Sequence, residues 1–271
     1  MAPFPPKTWS GKWALVTGAS AGIGKALAEE LARGEANLVL TARRRERLEE
    51  LARRLSAAGT IQTRVFAADL SERGAADEIF RFTREQNIEV ELLINNAGFG
   101  AYGEFSTLAA DRLAEMVQVN CAAVVHLTRL YLPEMISRGH GDVLILASTA
   151  AFQAVPYIST YAATKAFDLL FAEGLAEEMK PHGLRVCALC PGSTESEFAE
   201  VAGQTALTDS MRHRETAEKV ARTGLRALAA GKSCVISGMG NYLGVQGQRL
   251  ATRRLVTRVA AGMFRPDKAN P

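Results

Sequence analysis

The sequence predicts an α/β fold: a mostly parallel sheet of about seven strands, doubly wound by helices in three layers. Three observations carry that expectation. Short apolar runs alternate with amphipathic helical patterns along nearly the whole chain, and the alternation never restarts, so residues 1–271 read as one domain. The first strand also runs straight into a glycine-rich turn that opens a helix. Strands separated by helices need crossover connections, and crossovers leave neighbouring strands parallel.

The elements follow in order. Residues 13–17 (Trp13-Ala14-Leu15-Val16-Thr17) form the first strand, and Ile23, Ala26, Leu27 and Leu31 then share one helix face. Residues 37–42 are the second strand. A charged amphipathic helix spans 44–58, a strand 63–67, and a helix 71–86 that Ser71 is placed to cap. A strand at 92–95, a long apolar-faced helix over 111–135 and a strand at 142–147 come next. The helix over 160–180 is ended by Pro181 and Gly183. A strand at 184–189, a helix at 216–230 and a short strand at 234–237 complete the series. Residues 193–214 break the rhythm as a polar connection without a period, and a structureless stretch that long tends to be functional.

Composition narrows the function classes. The chain is 48% apolar and 23% charged, which suits a globular enzyme. A net charge of +3, with both signs interspersed, gives no argument for a nucleic-acid partner. Residues 1–6 carry no signal-peptide pattern, and no long uncharged apolar run occurs, so the expected location is cytoplasmic. Cys121, Cys187, Cys190 and Cys234 fit a reducing compartment. Cys187 and Cys190 form a C-x-x-C, but their odd separation on a strand points them to opposite faces, against a shared metal or redox role. His126, His140, His182 and His213 have no metal-ligand spacing, and no metal is expected.

The first turn reads Thr17-Gly18-Ala19-Ser20-Ala21-Gly22-Ile23-Gly24. Glycines let the backbone approach a phosphate, and the helix start offers unpaired N–H groups to it. With strand before and helix after, this is the context of a Rossmann-type dinucleotide site. The expected cofactor contacts here are Gly18, Ser20, Ala21, Gly22, Ile23 and Gly24. The spacing T-G-x-x-x-G-x-G resembles the short-chain dehydrogenase/reductase family, and the resemblance continues to about residue 238. Its further motifs stand in order: Asp69-Leu70, Asn95-Asn96-Ala97-Gly98, Asn120, Ser148, Tyr161-x-x-x-Lys165 and Pro191-Gly192.

The second strand ends in Thr41-Ala42-Arg43-Arg44-Arg45, without the carboxylate that an NAD site uses on the ribose. Arg43 suits the 2′-phosphate of NADP, whereas Arg44 and Arg45 read as the solvated start of a helix. The glycine turn itself holds no basic residue, so NAD(H) remains the weaker alternative to NADP(H). The resemblance implies that Asp69 and Leu70 border the adenine and that Asn96, Ala97 and Gly98 line the cofactor. Pro191, Gly192 and Thr194 are also expected cofactor contacts, Thr194 at the amide or at the phosphates.

Tyr161 and Lys165 lie four apart on a helix and share a face. A phenol near pKa 10 is a poor base at neutral pH, and an adjacent ammonium favours its phenolate. Ser148, at the end of the fifth strand, is placed to hold the substrate oxygen beside Tyr161. By resemblance, Lys165 also bonds the nicotinamide ribose, and Asn120 holds a water that links Lys165 to solvent. The implied reaction is hydride transfer to or from a carbonyl carbon, with Tyr161 handling the proton on oxygen. The competing reading is a non-catalytic NADP(H)-binding sensor or scaffold.

Residues 99–103, 152–157 and the stretch after Pro191 should surround a lipophilic ketone, aldehyde or acyl substrate. Residues 244–271 read as a C-terminal extension. In it, Leu255, Val256, Val259, Ala260, Met263 and Phe264 recur at helical spacing among arginines. That helix suits an anionic membrane surface, a cover for the substrate cleft, or packing on the domain or another subunit. The resemblance implies a homodimer or homotetramer.

Overall fold

A computed structural model describes residues 7–57, 61–203 and 214–266. His213 with the rest of residues 204–213 of the irregular connection, and Ala58 at the end of the expected second helix, lie outside the described residues.

Seven parallel strands form one sheet in the order β3-β2-β1-β4-β5-β6-β7. They are β1 (Trp13–Thr17), β2 (Asn37–Ala42), β3 (Thr63–Ala67), β4 (Val90–Asn95), β5 (Gly141–Leu146), β6 (Leu184–Cys190) and β7 (Cys234–Ile236). The helices are α1 (Gly22–Arg33), α2 (Arg45–Ala57), α3 (Ala75–Glu85), α4 (Ala110–Val117), α5 (Ala123–Arg138) and α6 (Ser159–Met179). After them come α7 (Phe198–Ala202), α8 (Ala217–Ala229), α9 (Met239–Gln248) and α10 (Arg253–Phe264).

Successive strand residues face opposite sides of the sheet, so each strand feeds two cores. Ala14 and Val16 of β1 join Leu38, Leu40 and Ile94 in a core closed by α1, α2 and α8. Leu15 joins Val39, Leu93 and Val143 in the other, closed by α3, α5 and α6. Cys187 falls in the first core and Cys190 in the second, as an odd spacing requires. All four thiols are free, and Cys190 Sγ lies 3.9 Å from Cys234 Sγ on the neighbouring strand.

β1 pairs with both β2 and β4. The order therefore reverses between β1 and β4, and the crevice outside their carboxyl ends is where such sheets bind ligands.

Two helices differ from their sequence expectation. Ser71 does not cap α3. Its amide and hydroxyl both donate to Asp69 Oδ1, at 3.0 and 2.8 Å, which fixes it in the preceding turn. The helix starts at Ala75 after Gly74, whose φ of 89° is available to glycine. The expected helix over 111–135 is not continuous either. It widens into a π turn at Gln118–Ala122 between α4 and α5, and Asn120 sits in that turn.

The extension expected from residue 244 has its boundary inside α9, which begins at Met239. One face of α10 packs on the domain: Ala260 contacts the cluster of Val155, Ile158 and Ala162, and Phe264 joins it. The opposite face leaves Leu255, Val259 and Met263 exposed.

Candidate active site

The glycine turn is stitched to the end of β4 by Thr17. Its hydroxyl accepts the Asn96 and Ala97 amides at 2.9 Å each and donates to the Ile94 carbonyl at 3.1 Å. The Asn96 carboxamide donates back to the Thr17 carbonyl at 2.8 Å. This close approach leaves no room for side chains. A Cβ on Gly18 would lie 2.7 Å from Asn96 Nδ2, and one on Gly24 would strike Asn96 Nδ2 and the Gly18 carbonyl. Ala21 precedes α1 without any side-chain cap, so the first helical N–H groups face the crevice beside these glycines. Ile23 is half-buried against the core, which anchors the turn.

Around the far end of β2, the structure redistributes the arginines. Arg43 lies at 3.7 Å from Asp69 Oδ2 and 3.8 Å from Glu115 Oε1. Arg44, read from sequence as a solvated helix start, instead reaches the glycine turn. Its Nη2 donates to Ser20 Oγ at 3.2 Å, and its Nη1 pairs with Glu197 at 2.8 Å. Arg47 holds the same carboxylate at 2.6 Å. These two arginines keep the Glu197 carboxyl below the usual range. Leu70 is buried in the core, so only its backbone is available to the crevice.

The proton-handling groups gather at the carboxyl end of β5. Ser148 caps the short turn Thr149–Phe152, with Oγ accepting the Ala150 amide at 3.1 Å. Tyr161, on the first turn of α6, faces the Ser148 side chain, whose hydroxyl draws the phenol pKa down. Lys165 Nζ lies 6.0 Å from the Tyr161 ring centre. It donates to the Leu146 carbonyl at 2.7 Å and to Asp168 Oδ2 at 2.9 Å, which leaves one N–H for a ligand. Gly98 gives this group access to the β4 loop, since a Cβ there would lie 3.5 Å from Lys165 Nζ and 3.1 Å from Asn120 Oδ1.

Burial pushes the Tyr161 phenol above its ordinary pKa, while Lys165 and the Ser148 hydroxyl draw it down; the net direction is upward. Desolvation, which depends on the closed fold, outweighs the pull of the ammonium.

Asn120 stands close to these groups, but its carboxamide is bonded elsewhere. Oδ1 accepts the Phe99 amide at 3.1 Å, and Nδ2 donates to the Phe99 carbonyl and to Thr164 Oγ1 at 3.0 Å each. It therefore ties the π turn to the β4 loop and to α6.

Pro191 and Gly192 close the site from β6. The Pro191 carbonyl accepts the Thr149 amide at 2.9 Å, and Gly192 lies directly against Asn241 of α9. Thr194 donates to the Gly192 carbonyl at 3.1 Å and bridges to Glu215. Phe198 of α7 tilts over Tyr161, with ring centres 5.1 Å apart. The segment before α6 is strained: Tyr157 has φ 68°, held by the Gly103 amide on its carbonyl at 2.9 Å. A cleft of about 490 Å³ lies between Phe152, Gln153 and Ala154 on one side and Val245, Gln248, Arg249, Arg253 and Val256 of the C-terminal helices on the other. Among the described residues, no group of three His, Cys, Asp or Glu side chains is arranged to hold a metal ion.

Sequence reasoning missed Thr17, Arg44, Phe198 and Asp168. Thr17 and Asp168 had local signals, the first as part of the turn and the second three residues after Lys165 on the same helix. Arg44 stood in the Arg43–Arg45 run but read as the solvated start of a helix, and Phe198 had no signal.

Comparison with known proteins places this geometry among relatives. The family profile described as short chain dehydrogenase matches residues 12–206. Very-long-chain 3-oxoacyl-CoA reductase-A of Danio rerio is 34% identical over 199 residues, covering 72% of this chain. The matched part spans only 62% of that relative's length. A short-chain dehydrogenase from Sphingobium yanoikuyae, solved in complex with NADPH, superposes with a TM-score of 0.80 at 27% identity, covering 96% of this chain and 98% of its own. L-Sorbose reductase from Gluconobacter frateurii, complexed with NADPH and L-sorbose, gives 0.75 at 28% identity, covering 85% and 97%.

Proposed function

Because the chain belongs to the short chain dehydrogenase family, we propose that it is an NADP(H)-dependent oxidoreductase acting on a carbonyl or secondary alcohol. The observation that carries this reading is the meeting of Ser148, Tyr161 and Lys165 beside the glycine turn at the β1–β4 reversal. The residues fit the dinucleotide. Gly18 and Gly24 form a cradle that a Cβ would fill, the uncapped start of α1 suits the pyrophosphate, and Arg43 and Arg44 stand where a 2′-phosphate would be read. NAD(H) would leave that arginine pair unused, and is the weaker alternative. When bound, the dinucleotide supplies or accepts the hydride.

The chain's own groups handle the oxygen. Ser148 holds the substrate oxygen by a hydrogen bond, and Tyr161 gives it a proton in reduction or removes one in oxidation. The ammonium of Lys165 stabilises the phenolate that results, and its remaining N–H suits the nicotinamide ribose. The upward direction of the Tyr161 pKa keeps the phenol protonated at neutral pH, which favours the acid role and hence carbonyl reduction.

Phe152, Tyr157 and Phe198 support a lipophilic ketone, aldehyde or acyl substrate. The names of relatives, a 3-oxoacyl-CoA reductase among them, point the same way. Exposed Phe167 and Leu170 on α6 favour a homo-oligomer joined through that helix. The apolar stripe of Leu255, Val259 and Met263, with Arg254 and Arg258 interleaved, is also suited to peripheral contact with an anionic membrane. A cytoplasmic location agrees with the free thiols. The test is NADPH consumption against ketones, aldehydes and acyl thioesters, repeated with NADH and with Tyr161→Phe. Turnover that survives the Phe variant would overturn the assignment.

A further inference from the structure

Asp168 is a buried carboxylate, placed one helical turn beyond Lys165. Its Oδ2 takes a hydrogen bond from Lys165 Nζ at 2.9 Å, while its Oδ1 is buried without a partner among the described residues. The two side chains are 5% and 1% exposed, so water screens neither charge. A lone carboxylate here would be costly, and so would a lone ammonium.

We propose that Asp168 is a positioning residue for the Tyr161–Lys165 pair: its carboxylate fixes the Lys165 ammonium and offsets the charge that ammonium presents to the Tyr161 phenol. The proposal rests on the catalytic reading of Tyr161 above. A negative charge beside the pair makes it harder to remove a proton from the Tyr161–Lys165 couple, whichever of the two gives it up. Asp168 therefore holds the couple in its proton-donating form, the form that carbonyl reduction needs.

The surroundings leave this role to Asp168. The titratable groups facing the pair from packed elements are the Cys121 thiol of the π turn and the Cys190 thiol of β6. Burial pushes Cys121 up to about 11 and Cys190 higher still, so both are neutral thiols at working pH. Asp168 raises Lys165 and Tyr161 alike, which is the direction the geometry requires. Desolvation lifts Asp168 itself, and Lys165 opposes that lift.

The decisive variant is Asp168→Asn, which keeps shape and a hydrogen-bonding oxygen but removes the charge. Phenolate absorbance of the cofactor-free protein is followed against pH, with the Tyr161→Phe protein subtracted. We expect the apparent ionisation of Tyr161 to fall by about one unit, and the alkaline limb of the carbonyl-reduction profile to move down with it. An unmoved or raised ionisation overturns the proposal. If Asp168→Asn does not fold, melting temperatures decide. Lys165→Met should lower the melting point by stranding the buried carboxylate, and adding Asp168→Asn should recover part of the loss. A double variant no more stable than Lys165→Met overturns the pairing. The titration needs no turnover, so persistent activity in Tyr161→Phe would sink the catalytic reading while the charge coupling stood.

Discussion

The guanidinium of Arg44 reaches the hydroxyl of Ser20 at 3.2 Å, joining the helix start after β2 to the glycine turn after β1. The same side chain is held by Glu197, which precedes α7 on the far side of the crevice. Arg44 is therefore the better placed of the two candidate arginines to meet a 2′-phosphate beside Ser20. Charge-assisted hydrogen bonds of this kind contribute about 1.5–3 kcal/mol. Arg44→Ala should raise the KM for NADPH about 10- to 100-fold, leave that for NADH nearly unchanged, and exceed the effect of Arg43→Ala. Steady-state kinetics with both cofactors checks the order.

Tyr161→Phe removes a hydroxyl that lies under the influence of both Ser148 and Lys165. Loss of a general acid or base costs about 10²–10⁴-fold in rate. Turnover should fall by that factor with NADPH affinity intact, as measured by fluorescence titration of the bound cofactor.

The sign of the Tyr161 shift predicts the pH profiles. Its pKa is raised, so the phenol is the form present at neutral pH and the phenolate appears only as pH rises. Alcohol oxidation should go on accelerating as pH rises through about 10, and carbonyl reduction should decline only beyond that point. Initial rates in both directions against pH provide the check. An oxidation rate already level at neutral pH would contradict the sign.

Gly24 has an ordinary backbone conformation, and its requirement is space. A Cβ would meet Asn96 Nδ2 and the Gly18 carbonyl, neither of which can withdraw without breaking the Thr17–Asn96 stitch. Gly24→Ala should cost about 1–3 kcal/mol of stability and weaken NADPH binding more than it lowers kcat. Melting temperature with and without NADPH separates the two effects.

Asp142 lies at the amino end of the interior strand β5, opposite the end that carries the site. It accepts Trp9 Nε1 at 2.7 Å and Arg185 Nε at 2.6 Å while 1% exposed. Asp142→Ala strands a buried indole N–H and a half-buried guanidinium. A loss of about 3 kcal/mol is expected with catalytic rates unchanged below the melting point, read by denaturant titration and by assay.

The strands and most helices were legible because their causes are local. Alternation along a strand, helical spacing and punctuation by glycine and proline act over a few residues, and they put β1 through β7 close to their observed bounds. Where a second local preference competed, the expectation failed. Ser71 had the chemistry of a helix cap, but Asp69 took its amide and hydroxyl into a turn. The π turn at Gln118–Ala122 left no pattern in the sequence, because it follows from fitting Asn120 against Phe99 and Thr164.

The alternation of strands and helices, the glycine turn and the spacing of Tyr161 to Lys165 each follow from neighbours in the chain. Which charges meet depends on how the chain closes. Helical arithmetic puts Lys165 and Asp168 within reach of each other, but not in the dry interior, and it cannot bring Glu197 across to Arg44. Burial and long-range pairing depend on how distant segments close around a site, and desolvation there sets the strength of every charge in it.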